Sequence, residues 1–282
     1  MDEIKENRKL TLAHSPDSDD AFMFWGLAKG VVAVDGFEFE HILSDIQTLN
    51  QAALGLKYDI TAISLHAYPY IANNYALMNV GASVGDGYGP IVVSRDPLTL
   101  KDLPEMTVAI PGSLTTAALV LRLAVPGIRT EEMAFDQIGD AVKAGQVAAG
   151  IIIHEGQVTW EGEGFHNVVD LGTWWKKETG FPLPLGANVI KRELGEASMS
   201  SISDGIRRSV AYGLENRAEA VKYAQDYGRN LIQEKVDQFI GMYVNDYTLD
   251  WGKNGRLAVE ELLLRGAEAG IVPRLAEIDF VG

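Results

Sequence analysis

The chain has 282 residues, of which 47% are apolar, a formal net charge of −15 and no cysteine. This length and apolar fraction suit one large globular domain or two ordinary ones. The acidic balance argues against nucleic acid as a partner and against adhesion to an anionic membrane surface, because no basic stripe is present to neutralise phosphates. Without cysteine, the chain has no disulfides, no thiolate catalysis and no cysteine-ligated metal.

The N-terminal stretch MDEIKENRKLTLAHS is polar and charged. It lacks the apolar segment and the cleavage-site pattern of a signal peptide. No apolar run approaches the roughly 20 residues that a membrane-spanning helix needs. We therefore expect a cytoplasmic protein with no membrane contact.

Strands and helices alternate along the first half of the chain. Periodicity and turn residues predict strands over residues 10–13, 37–43, 58–64 and 91–94. Helices are expected over residues 21–28 and 46–54, with another short one opening at His66. Asp45 stands where it can cap the second of these helices, and Gly55 stands where that helix ends.

A second α/β unit follows. It is predicted to contain strands over residues 107–110, 132–135 and 149–153, and helices over residues 115–124 and 138–144. The segment PLPLGANVI, residues 182–190, returns the chain to the first unit. Beyond Glu193 the pattern is mostly helical and ends in a helix over residues 255–267.

These elements predict an α/β fold of two lobes that are joined by two interlobe crossings, near residues 95 and 186. Residues 1–95 and 186–282 form the large discontinuous lobe, and residues 96–185 form the small inserted lobe. A ligand cleft is expected between the lobes, because interfaces between domains are favoured places for small ligands. Hinge closure around the ligand is expected with it.

The run AGIIIHEG, residues 149–156, is the most informative stretch of the chain. Its three isoleucines predict a buried strand that delivers His154 and Glu155 at its carboxyl end, where open α/β sheets place their ligands. An imidazole held there is a candidate acid or base. The alternative is an ordinary histidine at a strand end whose hydrogen bonds are satisfied.

The segment PGSLTT, residues 111–116, reads as a turn into a helix N-terminus. Free backbone N–H groups there, beginning after Gly112, and the hydroxyls of Ser113, Thr115 and Thr116 predict a site for a carboxylate or phosphate. The alternative is simple capping of the helix by these side chains.

The acidic run DSDD, residues 17–20, lacks the loop length, the glycine and the distal glutamate of an EF-hand. We therefore expect helix capping and contact with solvent, and no metal site. HEGQV has no second histidine four positions on, so it does not match a zinc-protease helix. No GxGxxG or GxxxxGK[ST] pattern occurs, and a nucleotide cofactor is unsupported.

Other histidines and a tryptophan pair have less specific interpretations. His41 falls in a predicted strand and His166 in a polar loop, so both are expected to be structural or solvated. The role of His66 stays open. Trp174 and Trp175 suit either a pocket for an aromatic ligand or packing in the core.

Seven blocks, in order along almost the whole chain, resemble the MqnD family of 1,4-dihydroxy-6-naphthoate synthases, which act in the futalosine route to menaquinone. The blocks are SPDSDDAFMFWGL, IQTLNQAAL, SLHAY, PGSLTTAALVLRL, AGIIIHE, VDLGTWWKKETGFPLPLGA and RRSVAYGLENRAEAV. The IIHE and TGFPLPLGA blocks are specific. The resemblance implies a periplasmic-binding-protein type II-like fold without an export signal, in agreement with the two lobes and the cleft.

The resemblance also implies roles for individual residues. His154 matches the family's histidine after the apolar strand, which is proposed as the base. Asp20 and Ser64 match the family's pocket aspartate and serine, and Thr115 and Thr116 match its threonine pair.

The first loop departs from the family pattern. The family usually reads SPCPNDTF where this chain reads SPDSDDAF, so that Asp20 is retained while Asp17, Ser18, Asp19 and Ala21 differ. Extra negative charge beside an anionic substrate is unfavourable unless it points to solvent.

The implied activity is that of a lyase acting on cyclic dehypoxanthinylfutalosine, a carboxylated spiro bicycle with a sugar-derived ring. A carbon–carbon bond breaks, the sugar-derived part leaves and 1,4-dihydroxy-6-naphthoate remains. No redox cofactor or metal is needed, because the product gains aromaticity. In this scheme His154 removes a proton, and Glu155 or a backbone carbonyl fixes the imidazole tautomer. The donors at residues 112–116 hold the carboxylate.

Two alternatives share the expected fold. One is a solute-binding protein for a small organic anion, which would usually be exported or lipidated, and this N-terminus supports neither. The other is chorismate dehydratase of the same pathway, which the HE pair and TGFPLPLGA disfavour. The expected partner is a small carboxylated substrate, and the sequence leaves open whether the protein is a homodimer.

Overall fold

A computed structural model describes residues 7–282. The expectation about a signal peptide rests partly on residues 1–6, which lie outside the described residues, as does the start of the predicted large lobe. Within the described range, no helix combines the length and the apolar character that a bilayer crossing requires.

The larger of two β-sheets contains seven strands within residues 7–282, in the order β12-β4-β11-β3-β1-β2, with β5 paired to β11. Its strands are β1 (Arg8–His14), β2 (Phe37–Leu43), β3 (Ile60–Ser64), β4 (Tyr75–Met78), β5 (Ser83–Gly85), β11 (Leu183–Lys191) and β12 (Phe280–Val281). Strand β1 is parallel to both β2 and β3. The carboxyl ends of β1 and β3 therefore meet at one edge of the sheet.

The smaller sheet has five strands in the described part of the chain, in the order β10-β6-β9-β7-β8. They are β6 (Ile91–Ser94), β7 (Thr107–Ile110), β8 (Arg129–Glu132), β9 (Ala149–Ile152) and β10 (His166–Asp170). Strand β7 is parallel to β8 and β9, so their carboxyl ends also share one edge. Two sheets with their own helices confirm the predicted α/β, two-lobed fold.

Eleven α-helices of the described residues cover the sheets. They are α1 (Ser18–Ala28), α2 (Ile46–Leu54), α3 (Tyr68–Ile71), α4 (Thr116–Ala124), α5 (Ile138–Lys143), α6 (Leu171–Thr179), α7 (Glu196–Glu215), α8 (Arg217–Ala224), α9 (Gln233–Tyr243), α10 (Asp246–Leu249) and α11 (Gly252–Glu268). Asp45 caps α2 as predicted, because its carboxylate accepts a hydrogen bond from the Thr48 N–H at 3.0 Å.

One apolar core extends across both sheets, from Ile63 and Leu77 to Val108 and Ile151. Trp175 belongs to it and is fully buried, with its indole N–H donating to the Pro182 carbonyl at 3.0 Å. The core interpretation of Trp175 is therefore correct, and Trp174 packs partly buried against the same core.

Both crossings come a few residues earlier in the chain than the expected positions near residues 95 and 186. Strand β6 pairs with β9 and β10, so it belongs to the smaller sheet and not to the large lobe, as a boundary at residue 95 had assigned it. The first crossing is the glycine-rich segment between β5 and β6, and the second lies between α6 and β11. Residues 95–97 are instead the turn that ends β6.

Two local predictions in the small lobe were wrong. The strand expected over residues 132–135 is β8, three residues earlier, and residues 135–137 form a 3-10 turn. Strand β8 is a polar edge strand (RTEE) and therefore carries no apolar alternation. His166, expected in a loop, begins strand β10, although its side chain is exposed as predicted.

The first crossing packs directly against Gly172 at the start of α6. A Cβ at Gly172 would lie 1.9 Å from the carbonyl oxygen of Tyr88. We expect Gly172→Ala to lower the free energy of unfolding by about 1–3 kcal/mol, because backbone cannot yield as a side chain can. Chemical denaturation measures this change. Gly162→Ala is the control, since nothing lies within 4 Å of its Cβ position, and equal stability of the two variants would contradict the packing described.

Candidate active site

A cavity lies between the two lobes, where the carboxyl ends of β1, β3 and β9 meet the N-terminus of α4. Its empty volume is about 750 Å³, including space open to solvent. The polar residues that line it come from both lobes and from the C-terminal helices. They are Ser15, Asp17, Asp19, Asp20, Ser64, Ser83, Thr115, Thr116, His154, Gln157, Asn188 and Tyr243.

His154 and Asp17 form a histidine–carboxylate pair across the cavity edge. Strand β9 ends two residues before His154, whose backbone is left-handed (φ 56°), an uncommon conformation outside glycine. The His154 Nδ1 lies 2.5 Å from an oxygen of the buried Asp17 carboxylate. The other ring nitrogen, Nε2, is buried and has no hydrogen-bond partner among residues 7–282. With the Nδ1 proton held by Asp17, Nε2 is the nitrogen that can accept a proton.

Arg229 links Glu155 of the small lobe to Asp17 of the first loop. Its guanidinium pairs with Asp17 through one nitrogen and with Glu155 through another. Glu155 also accepts hydrogen bonds from the Ser18 backbone N–H at 3.0 Å and the Ser18 hydroxyl at 2.8 Å. Because Glu155 follows β9 and the other three residues belong to the large lobe, these contacts hold the lobes together.

The acidic run is buried, which corrects the expectation that it faces solvent. Asp17, Asp19 and Asp20 are 2%, 8% and 7% exposed. Asp20 accepts hydrogen bonds from the Ser15 N–H and hydroxyl at 2.7 and 2.8 Å. Helix α1 begins at Ser18, but Asp17 makes no side-chain cap. No group of three potential metal-ligating side chains is present in the described part of the chain.

Burial and neighbouring charges act differently on the three carboxyls. Burial alone would raise the pKa of Asp17, but His154 and Arg229 hold it well below its usual range. Burial raises the pKa of Asp20 to about 6, against the lowering effect of its hydrogen bonds to Ser15. Burial and the other carboxyls raise the pKa of Asp19 well above its usual range.

Ser64 and the two threonines lie on the opposite wall of the cavity. Ser64 ends β3, and its hydroxyl accepts from the Asn50 amide at 3.0 Å. The Thr115 hydroxyl caps α4 through the Ala118 N–H at 3.3 Å and donates to the Gly112 carbonyl at 2.8 Å. The Thr116 hydroxyl donates to Leu185 O at 2.6 Å. Capping therefore occupies the Thr115 hydroxyl, while the first N–H groups of α4 have no partner within the helix.

The structure brings together His154, Asp20, Ser64, Thr115 and Thr116 at one cavity. The other three predicted site residues do not line it. Gly112 packs against Gln47, and the Ser113 N–H donates to Glu132 at 2.7 Å near the surface. Glu155 is buried beside the cavity and contacts Arg229 and Ser18; the imidazole is oriented by Asp17 instead.

Several residues of the site were missed in the sequence. Asp17 was assigned to helix capping, and Arg229 lies 212 positions away from it in the chain. Asn188 on β11 lines the cavity, and its Oδ1 is buried with no partner among the described residues. Tyr243 donates to Gln157 at 2.6 Å. An isolated arginine far along the chain carries no local pattern, so only the three-dimensional contacts identify it.

Two further histidines are structural neighbours of the site. The His66 Nδ1 lies 3.1 Å from Thr115 O, and burial lowers the pKa of His66 to about 4. His41 lies in β2, as predicted, with its Nδ1 3.1 Å from His14 Nε2. Neither His66 nor His41 lines the main cavity.

Solved structures define the class of protein. Protein AF1704 from Archaeoglobus fulgidus superposes with a TM-score of 0.90 at 42% identity, covering 94% of this chain and 98% of that one. The alkanesulfonate-binding protein SsuA from Xanthomonas axonopodis pv. citri, bound to MOPS, reaches 0.70 at 13% identity over 95% and 96% of the two chains. The fold is thus periplasmic-binding-protein-like, as predicted.

Sequence relatives define the family within that fold. A family model described as "Menaquinone biosynthesis" matches residues 10–268. A protein of Thermus thermophilus named 1,4-dihydroxy-6-naphtoate synthase is 38% identical, over 93% of this chain and 95% of its own length. A Streptomyces coelicolor protein of the same name is 35% identical over 94% and 95% of the two chains. The chain belongs to this menaquinone biosynthesis family, as the resemblance predicted.

The contacts of Arg229 predict a stability effect. Removing the cation of a buried pair typically costs about 3–5 kcal/mol. The Arg229 side chain is 33% exposed, so we expect Arg229→Met to cost about 2 kcal/mol at pH 7 after allowing for solvent screening. Urea denaturation measures the cost. Arg208→Met, which breaks an exposed pair with Asp204, is the control and should cost below about 1 kcal/mol.

The stability cost of Arg229→Met should depend on pH. Because the pKa of Asp17 is held below its unfolded value, the pair stabilises the fold at pH values above about 4. That stabilisation disappears as the pH falls and Asp17 takes up a proton. The stability difference between wild type and Arg229→Met should therefore shrink below about pH 4, and a difference independent of pH would contradict the pairing.

Proposed function

We propose that the protein is a carbon–carbon lyase that forms 1,4-dihydroxy-6-naphthoate from cyclic dehypoxanthinylfutalosine. The names of the two curated relatives support the product. The observation that carries the chemistry is the His154–Asp17 pair: His154 lines the cavity, and its buried Nε2 has no hydrogen-bond partner among residues 7–282. A general base needs that combination of a fixed tautomer and a nitrogen free to accept a proton.

The base acts on a substrate held between the lobes. In the proposed reaction, His154 Nε2 takes a proton from the bound substrate and the electron pair moves to break the carbon–carbon bond. The Asp17 carboxylate stabilises the imidazolium that forms, at a distance of 2.5 Å. A positioned base contributes about 10²–10⁴-fold to the rate. This scheme uses no redox cofactor and no metal.

The opposite wall supports binding of the substrate carboxylate. The N–H groups of Thr116 and Ala117 open helix α4 and line the cavity, where the helix dipole favours an anion. Ser64, Asp20 and Asn188 are polar neighbours for the hydroxyls of the sugar-derived ring. In the proposed reaction, closure of the lobes around the substrate excludes water from the reacting atoms. Cytoplasmic location and a homodimer stay predictions from the sequence.

Conversion of the purified substrate tests the proposal. We expect the wild-type protein to form the naphthoate, which is measured by its absorbance. We expect His154→Ala to lower kcat by about 10²–10⁴-fold, because the base is lost. His166→Ala, at an exposed position of β10, is the matched control and should retain wild-type kcat.

Different outcomes separate the alternatives. Full turnover by a folded His154→Ala protein removes histidine from the mechanism. Conversion of chorismate by the wild type would indicate the dehydratase. Tight binding of an organic anion without conversion of either substrate would indicate a solute-binding protein of the same fold.

A further inference from the structure

The cavity holds more carboxyl groups than it has cations to pair with them. Asp17 and Glu155 share Arg229, and Asp17 also contacts His154. Asp20 is bound by two hydrogen bonds from Ser15. Asp19 is the remaining carboxyl, and its hydrogen bond comes from the backbone N–H of Asp20 and not from a cation.

Asp19 is nevertheless buried and faces the ligand cavity. It is 8% exposed and lines the cavity together with Tyr243 and Asn188. Asn188 provides an independent sign of an absent ligand, since it is 1% exposed and its Oδ1 has no partner among residues 7–282. Leaving a buried polar atom unpaired is unfavourable unless a ligand or a water satisfies it.

Several ionisable groups surround Asp19. Asp17 and Asp20 lie beside it in the chain, Glu155 approaches from the small lobe, and Tyr243 comes from the C-terminal part of the large lobe. His154 lines the same cavity, and Arg229 is bound to Asp17 and Glu155. The guanidinium of Arg229 is already occupied by two carboxylates. An ionised Asp19 beside them would add an uncompensated negative charge in a site of low dielectric.

We propose that Asp19 is a ligand-binding residue that acts as a neutral carboxylic acid, donating its hydroxyl proton to an oxygen of the bound organic anion. The inference rests on the proposed function, which supplies the anion. It assigns to the acidic loop a role that favours an anionic ligand. Burial and the carboxyls of Asp20, Asp17 and Glu155 favour this protonated form by raising the pKa of Asp19.

The sign of the pH effect follows from the proton that Asp19 must carry. Below its pKa, Asp19 donates to the ligand. Above it, the same group repels the ligand, so the affinity falls by about tenfold for each pH unit as one proton is lost. Asn is the neutral isostere of the protonated side chain and has a weaker donor that does not titrate.

Calorimetric titration tests this difference with two bicyclic carboxylates, 2-naphthoate and 1,4-dihydroxy-6-naphthoate, the latter kept anaerobic, from pH 6 to 10. We expect wild-type affinity to fall by at least tenfold over this range. For Asp19→Asn we expect affinity a few-fold weaker than wild type at pH 6, stronger at pH 10 and nearly flat from pH 8 to 10, above the range in which Asp20 titrates. Asp35→Asn, on an exposed turn, should keep the wild-type pH dependence.

Infrared difference spectroscopy supplies the readout that does not depend on activity. At pH 7, the carbonyl stretch of a protonated carboxyl should be present in wild type and in Asp35→Asn, absent in Asp19→Asn, and shifted when 2-naphthoate binds. An ionised Asp19 at pH 7, or a band that ligand leaves unchanged, overturns the proposal.

The outcomes distinguish this inference from the proposed function. If wild type forms the naphthoate while Asp19→Asn keeps the wild-type pH dependence, the function stands and the role of Asp19 is wrong. If wild type converts no substrate but binds 2-naphthoate with the expected pH dependence and band shift, Asp19 stands and the lyase assignment fails. If wild type neither converts the substrate nor binds either carboxylate, both the lyase assignment and the role of Asp19 are wrong.

Discussion

The Asp17 carboxylate is shared between the imidazole of His154 and the guanidinium of Arg229, and the rest of the site is arranged around this contact. Removing a carboxylate from water is unfavourable by several kcal/mol unless partners replace the lost hydration. Here the partners come from both lobes, so charge neutralisation, lobe contact and orientation of the imidazole all depend on one buried group. The same carboxylate lines the cavity together with His154.

The negative charge of this protein opposes binding of the anionic substrate proposed above. The net charge of −15 and four buried carboxyls near one cavity oppose a carboxylate ligand. Arg229 neutralises Asp17 and Glu155, hydrogen bonds from Ser15 occupy Asp20, and the residues that open α4 lie at the cavity wall with N–H groups that have no partner within the helix. Local donors therefore outweigh the overall charge, since Coulomb interactions at short range in a buried site exceed those of distant, solvent-screened groups.

Much of this fold follows from the sequence because its signals are local. β-Branched runs mark β6, β7 and β9, and the Asp45 and Gly55 pair marks both ends of α2. The position of His154 at the end of β9 follows from the same pattern. The polar edge strand β8 and the exact crossings were misplaced, because pairing with a neighbouring strand decides them more than any local periodicity.

The site was only partly predictable for a related reason. Strand ends and a helix N-terminus brought His154, Ser64 and Thr116 to one place, which the sequence anticipated. The partner of the imidazole was expected to be Glu155, its neighbour in sequence, or a backbone carbonyl, but Asp17 from the other lobe occupies that position. Arg229 was missed altogether. Contacts between residues more than a hundred positions apart have no signature in a single sequence.

The left-handed turn at His154 places the imidazole at the contact between the lobes, so the histidine–carboxylate pair depends on that contact. The small lobe carries the imidazole and the large lobe carries its carboxylate, so a chain whose lobes had swung apart would hold an incomplete base. The histidine–carboxylate pair therefore exists only in the arrangement that brings the two lobes into contact, and separation of the lobes would remove the carboxylate from the imidazole.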